Sequence, residues 1–192
     1  MAETVQVHED FGFRTATEAD IEAVARIKTD GFIDKATRFG SRDRAIKDGV
    51  KEMKDRTWVL PQLGLMFEKS SGLLVGACQV KLPHQEGEPS FPRWAQYICK
   101  EGEAHVEFIC VGPGQRGKGV GKSLLQWSDK FARDNGCSRI TLEVATNNRA
   151  QSLYLRQGYC VVKKSGCCDK VFIWCLLGIP GVFLMEKTLD QQ

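Results

Sequence analysis

Val111-Gly-Pro-Gly-Gln-Arg-Gly-Lys-Gly-Val-Gly-Lys-Ser123 joins a strand pattern, Ala104–Val111, to a helix pattern, Val120–Asn135. Its glycines permit positive φ and close backbone approach, and a helix N-terminus directly behind them offers uncovered amides to an anion. Arg116, Lys118 and Lys122 add positive charge. On these grounds the stretch reads as a pyrophosphate-binding loop.

Three loop chemistries compete for it. The Walker A pattern nearly matches at Gly121-Lys122-Ser123, but its first glycine would fall on Arg116, and that reading fails. The dinucleotide fingerprint G-x-G-x-x-G does match over Gly112–Gly117, with Glu143 ending the next strand pattern. Against it, Pro113 removes an amide where amides are needed, and too few residues remain for a second mononucleotide half. The third pattern, R/Q-x-x-G-x-G/A, is met by Arg116-Gly-Lys-Gly119-Val-Gly121 after a strand ending in Val111.

Further along, Asn147-Asn-Arg-Ala150-Gln-Ser-Leu153-Tyr154-Leu-Arg-Gln-Gly158-Tyr159 fits N-x-x-A-x-x-L-Y-x-x-x-G-F with Tyr159 in place of Phe. On these two motifs, in this order, the sequence resembles the GNAT superfamily of acetyl-coenzyme A-dependent N-acetyltransferases. The resemblance covers 104–164 well and 11–82 loosely, while 165–180 is an atypical apolar insertion. It implies a single N-acetyltransferase domain over 1–192, with residues 1–10 flexible. The fold implied is α/β: a mixed, largely antiparallel sheet with a splayed central parallel strand pair and helices on both faces.

The resemblance also implies roles. Acetyl-coenzyme A would be the co-substrate, with backbone groups of Ile109, Cys110 and Val111 holding its pantetheine arm. Residues Arg116, Gly117, Lys118, Gly119, Val120, Gly121 and Lys122 would hold the pyrophosphate, and Asn147 would face the cofactor unless it serves as a helix cap. Tyr154 would stand beside the sulfur as general acid. An amine must lose a proton to attack a thioester, so a base is needed near the carbonyl. His105, Glu107 and Ile109 share one face of the strand at period two. Glu107 is the first candidate for the base and His105 the second, each acting directly or through water. A non-catalytic coenzyme A-binding module and, more remotely, a nucleotide-binding oxidoreductase half are the alternative functions.

Outward from this core the chain reads as ordinary globular protein. It has 192 residues, 42% hydrophobic and 27% charged, enough for a sizeable core without metal or disulfides. A net charge of +3 gives no case for nucleic acid. The charge is nevertheless uneven: 15 Lys/Arg against 18 Asp/Glu over 1–111, and 12 against 6 over 112–192, which favours an anionic ligand in the second part. Eight cysteines without a C-x-x-C pair, and three histidines, are poor material for a zinc site. With no signal-peptide pattern, a reduced cytoplasmic protein is expected.

Before the loop, Phe11–Thr15 reads as a strand, Thr17-Glu-Ala-Asp20 as a capped helix start, and 42–56 as a solvated helix. Thr57–Glu68 and Leu73–Leu82 read as strands joined by a tight turn. Residues 83–103 read as a long loop whose Trp94, Tyr97, Glu86, Glu88, Glu101 and Glu103 suit either a cationic or aromatic amine or plain solvation. Gly158–Lys164 reads as a strand. The uncharged run 171–185 is too short to span a membrane and is broken at Gly178–Gly181; it reads as an apolar helix or dimer contact, then a buried strand from Val182.

Overall fold

The computed structural model describes residues 10–32, 40–83, 97–165 and 181–190. Most of the 83–103 loop, with Glu86, Glu88 and Trp94, lies outside them, as do the 1–9 tail and 171–180. Among the described residues seven strands form one sheet: β1 (Phe11–Thr15), β2 (Leu63–Glu68), β3 (Leu74–Lys81), β4 (Glu103–Val111), β5 (Arg139–Ala145), β6 (Cys160–Ser165) and β7 (Val182–Thr188). Their order is β1-β2-β3-β4-β5-β7-β6. The β1–β2, β2–β3, β5–β7 and β6–β7 pairs are antiparallel, whereas β4 and β5 are parallel. This is the mixed, mostly antiparallel α/β class expected. The chain divides into two compact units, Met1–Gln79 with Phe108–Ser128, and Val80–Glu107 with Asp129–Gln192.

In the first unit, a 3₁₀ turn at Glu18–Asp20 leads into α1 (Ile21–Gly31). Asp20 accepts from the Thr17 amide at 2.8 Å and hydroxyl at 2.9 Å, and from Arg14 at 2.6 and 2.7 Å. The Arg14 hydrogen bond chiefly holds the Asp20 carboxyl down at about 2. Ile21, Val24 and Ile27 recur at helical spacing and pack with Ile46 and Met53 of α2 (Arg42–Asp55) and with Leu63, Leu65 and Ala77. Gly31, which reads in sequence as a helix stop, is the last residue of α1. A side chain there would meet Cys110 Sγ at 2.9 Å, so close packing also requires glycine.

Thr57–Gln62 is a 3₁₀ turn rather than the start of a strand. Pro61 has no N–H for a ladder, while the Val59 and Leu63 amides bond back to Arg56 and Leu60. Val59 and Leu60 are buried by this turn, which explains why their apolar run mimics a strand.

In the second unit, Ile140, Leu142 and Val144 of β5 and Val182 and Met185 of β7 are buried. The 182–185 end of the apolar run is therefore a sheet strand paired on both sides, as expected of a buried strand. The α3 helix (Val120–Asp134) contributes its last turn here. Asp129 on it is 4% exposed and accepts from Tyr159 Oη at 3.3 Å and Lys187 Nζ at 2.5 Å. Burial raises the Asp129 pKa and the Lys187 hydrogen bond opposes that shift. Strand β6 carries a register shift between Val161 and Lys163 and leaves Val161 and Val162 exposed. No helix among the described residues is long and apolar enough to cross a membrane.

Candidate active site

The glycine loop belongs to the first unit. The Gly112 amide donates to Val75 O at 2.8 Å, pinning the end of β4, and the Gln115 amide donates to Gly112 O at 3.1 Å. Gly114, Gly117 and Gly119 then take φ of 76°, 81° and 83°, and a side chain built on any of them would meet nothing within 4 Å. Their freedom is spent on a left-handed backbone beside open space, not on tight packing. Behind them, α3 starts at Val120 and presses onto β3: a Cβ on Gly76 would stand 2.7 Å from Val120 and 2.9 Å from Leu124. Arg116, Lys118 and Lys122 are exposed, and Lys118 Nζ reaches Gln115 Oε1 at 3.0 Å. Gly117 and Lys118 also line a cleft of about 760 Å³ with Phe11, Glu68 and Lys69. The loop thus offers amides, a helix N-terminus and cationic side chains to an anion.

Strand β4 alternates as its sequence implies. Ala104, Val106, Phe108 and Cys110 are buried, and the Cys110 thiol is pushed up to about 12 by burial, which makes it an inert packing group. On the other face Glu107 is exposed, while Ile109 and Val111 are half-buried. The parallel ladder with β5 runs from Glu103–Arg139 to Val106–Leu142, and β4 continues to Val111.

His105 differs sharply from Glu107. It is 3% exposed, stacked on Tyr97 with ring centroids 4.0 Å apart, and its Nδ1 lies 2.9 Å from Thr141 Oγ1. Burial, helped by the Lys81 charge, lowers its pKa to about 3. The imidazole is neutral at any ordinary pH. Thr141 joins it in one polar cluster with Tyr97 and Glu103, which read in sequence as loop residues, although Glu103 is the first residue of β4. Period two puts Glu103 on the His105 face, but the parallel register opposing Thr141 to His105 has no local signature.

In the second motif, where Asn147–Gln157 reads in sequence as a helix, the helix is shorter. The α4 helix covers Gln151–Arg156, and the residues before it form turns in which Asn148 Oδ1 accepts from the Ala150 amide at 2.9 Å. That side-chain bond replaces a helical one, which delays the helix. Asn147 is exposed ahead of the turn and is not its cap. Tyr154 is buried on α4, 6.2 Å edge-on from the Tyr159 ring, and its carbonyl accepts the Tyr159 amide at 3.1 Å. Gly158, at φ 87°, makes the turn that brings this about.

A glycine loop on a helix N-terminus, a parallel pair that stops short of the end of β4, and a tyrosine helix closed by Gly158 together match one known family. Residues 33–159 fit the acetyltransferase (GNAT) family. The chain belongs to that family. Among solved structures, a Salmonella typhimurium protein described as an acetyltransferase and solved with acetyl-CoA superposes at a TM-score of 0.67, with 18% identity and 96% of each chain covered. Streptothricin acetyltransferase of Streptomyces lavendulae is 38% identical over 72 residues, 36% of this chain and 34% of that protein. Glucosamine 6-phosphate N-acetyltransferase of Trypanosoma brucei brucei is 21% identical over 150 residues, 78% of this chain and 89% of that protein. The match to the streptothricin enzyme thus spans about a third of its length. Within the GNAT family the Phe-to-Tyr departure at 159 has a local reason, since the added hydroxyl bonds to buried Asp129.

Proposed function

We propose that this chain transfers an acetyl group from acetyl-CoA directly to a primary amine of a small molecule or a protein. The observation that carries the reading is the 112–121 loop, with three left-handed glycines facing open space at the start of a 15-residue helix. The pyrophosphate would sit on the amides of residues 116–121, with Lys118 and Lys122 nearby. Backbone groups of Ile109, Cys110 and Val111, beyond the ladder with β5, would hold the pantetheine arm as an added strand. The acetyl-CoA bound to the Salmonella protein supports the same choice of cofactor.

The amine must arrive neutral or lose a proton before it attacks the thioester carbonyl. Glu107 is the proposed base: it is exposed on β4, whereas His105 is buried and neutral. As the C–S bond breaks, the Tyr154 hydroxyl would protonate the departing thiolate. No cysteine nucleophile is invoked, because Cys110 is buried on the opposite face of the strand. Acetyl transfer measured against polyamines, arylalkylamines, amino acids and peptide N-termini tests the reading. Turnover with one class, lowered in Glu107→Gln while coenzyme A still binds, is the expected result. Tight coenzyme A binding with no turnover on any amine would make the chain a binding module instead.

A further inference from the structure

Strand β7, the α3 helix and the turn after α4 meet at one buried carboxylate. Asp129 on α3 accepts from Lys187 Nζ of β7 at 2.5 Å and from Tyr159 Oη at 3.3 Å. The lysine stem packs alongside Gly158, where a Cβ would stand 3.6 Å from Lys187 Cε, and its ammonium lies 5.9 Å from the centre of the Tyr159 ring. Tyr159 is itself 1% exposed. Its amide donates to the Tyr154 carbonyl at 3.1 Å. Its ring meets the Tyr154 ring edge-on, with centroids 6.2 Å apart and planes at 60°.

A phenylalanine at 159 would pack here without any polar partner. A buried ion pair adds little net stability over apolar packing of the same volume, because both charges must leave water; its directional bonds instead select one arrangement of the groups that make it. From this geometry we infer that Tyr159, held at its hydroxyl by the Asp129–Lys187 pair, is a positioning residue for Tyr154. With the hydroxyl tied to α3, the Tyr159 ring is a fixed wall for the Tyr154 ring, and the amide-to-carbonyl bond fixes the end of α4 at the same place. Tyr159, Asp129 and Lys187 move no proton. A proton donor must stay within hydrogen-bond reach of the atom it serves, so a displaced Tyr154 ring costs rate and not cofactor affinity. The step through Tyr154 rests on the acetyltransferase reading; the bracing of its ring does not.

The test is Tyr159→Phe, which keeps the ring and the backbone bond and removes only the anchor. With acetyl-CoA and an amine that the wild type acetylates, kcat should fall about tenfold while the KM for acetyl-CoA stays nearly unchanged. Added to Tyr154→Phe, the same substitution should lower kcat no further, since it acts through a hydroxyl already removed. Ile140→Val, a core truncation on β5 of the same unit with a similar loss of stability, should leave kcat as it is. An unchanged kcat in Tyr159→Phe, a full further drop in the Tyr154→Phe background, or an equal loss in Ile140→Val would overturn the inference. The brace is also read without turnover. The chain has three tyrosines, so the ring signals of ¹³C-labelled tyrosine are assigned by the two Phe variants. The Tyr154 ring should flip more slowly in the wild type than in Tyr159→Phe, and equal flip rates would likewise overturn the inference. A wild type inactive toward every amine, with the slower flips present, would sink the acetyl-transfer reading and the acid role of Tyr154 while leaving the brace standing.

Discussion

The glycine loop of the first unit and the polar cluster of the second handle polar groups in opposite ways. In the loop, side chains are deleted at Gly114, Gly117 and Gly119 and the backbone stands beside open space. In the cluster, Glu103, Thr141, His105 and Tyr97 are packed together and hydrogen-bonded to one another. Exposed backbone donors are free to meet a group from outside, whereas buried polar groups are tolerated when they are hydrogen-bonded to one another. A binding surface and a preorganised interior are thus built from different material: absent side chains in one, mutually satisfied side chains in the other.

The largest expected effect separates chemistry from cofactor affinity. If Tyr154 protonates the thiolate, Tyr154→Phe should lower kcat by roughly 10²–10⁴-fold while coenzyme A affinity, measured by calorimetry, changes little. A fully active variant would reduce Tyr154 to a packing residue. Next comes the second buried network. Lys187→Met strips Asp129 of its cation in a site that is 4% exposed and should cost about 3 kcal/mol in urea unfolding. Tyr159→Phe leaves that pair intact and should cost about 1 kcal/mol. Equal losses would mean that the carboxylate depends on neither partner in particular.

The loop should respond in the reverse sense to Tyr154. Gly119→Val forces a β-branched residue to φ 83°, which costs about 1–2 kcal/mol, and should weaken coenzyme A binding about tenfold. An unchanged affinity would remove the loop from the site. A further effect is one of pH. The folded-state pKa of His105, about 3, lies below that of an unfolded histidine, about 6.5. The unfolded chain therefore binds the extra proton between these values, and the stability contribution present above pH 6.5 is lost as pH falls toward 3. His105→Gln should flatten that part of the stability curve, and an identical slope in both proteins would contradict the burial of a neutral imidazole.

Elements with a strong local period were legible in the sequence. The alternation of β4 sorts Ala104, Val106, Phe108 and Cys110 inward without reference to any other part of the chain. The glycine loop was legible for a similar reason, since composition, charge and position before a helix coincide within thirteen residues. Thr57–Gln62 misleads because buried apolar residues in a 3₁₀ turn and in a strand look alike in one dimension, and only Pro61 argued against pairing. The helix at 147–157 begins late because Asn148 bonds the chain locally. The His105 environment could not be read at all. Thr141 opposes it through parallel register across 36 positions, and Tyr97 comes from a segment that looked like solvated loop.

The irregularity in β6 bears on how its edge could pair. This strand ends the sheet order, and Cys160-Val161-Val162 on it is the kind of short, β-branched stretch that recruits a strand from another molecule. The register shift between Val161 and Lys163 breaks the row of amides and carbonyls after two residues. Two lysines, 163 and 164, follow at once, so a second copy docking in register would bring like charges together. An edge of this form exposes two valines without offering a second strand a continuous template.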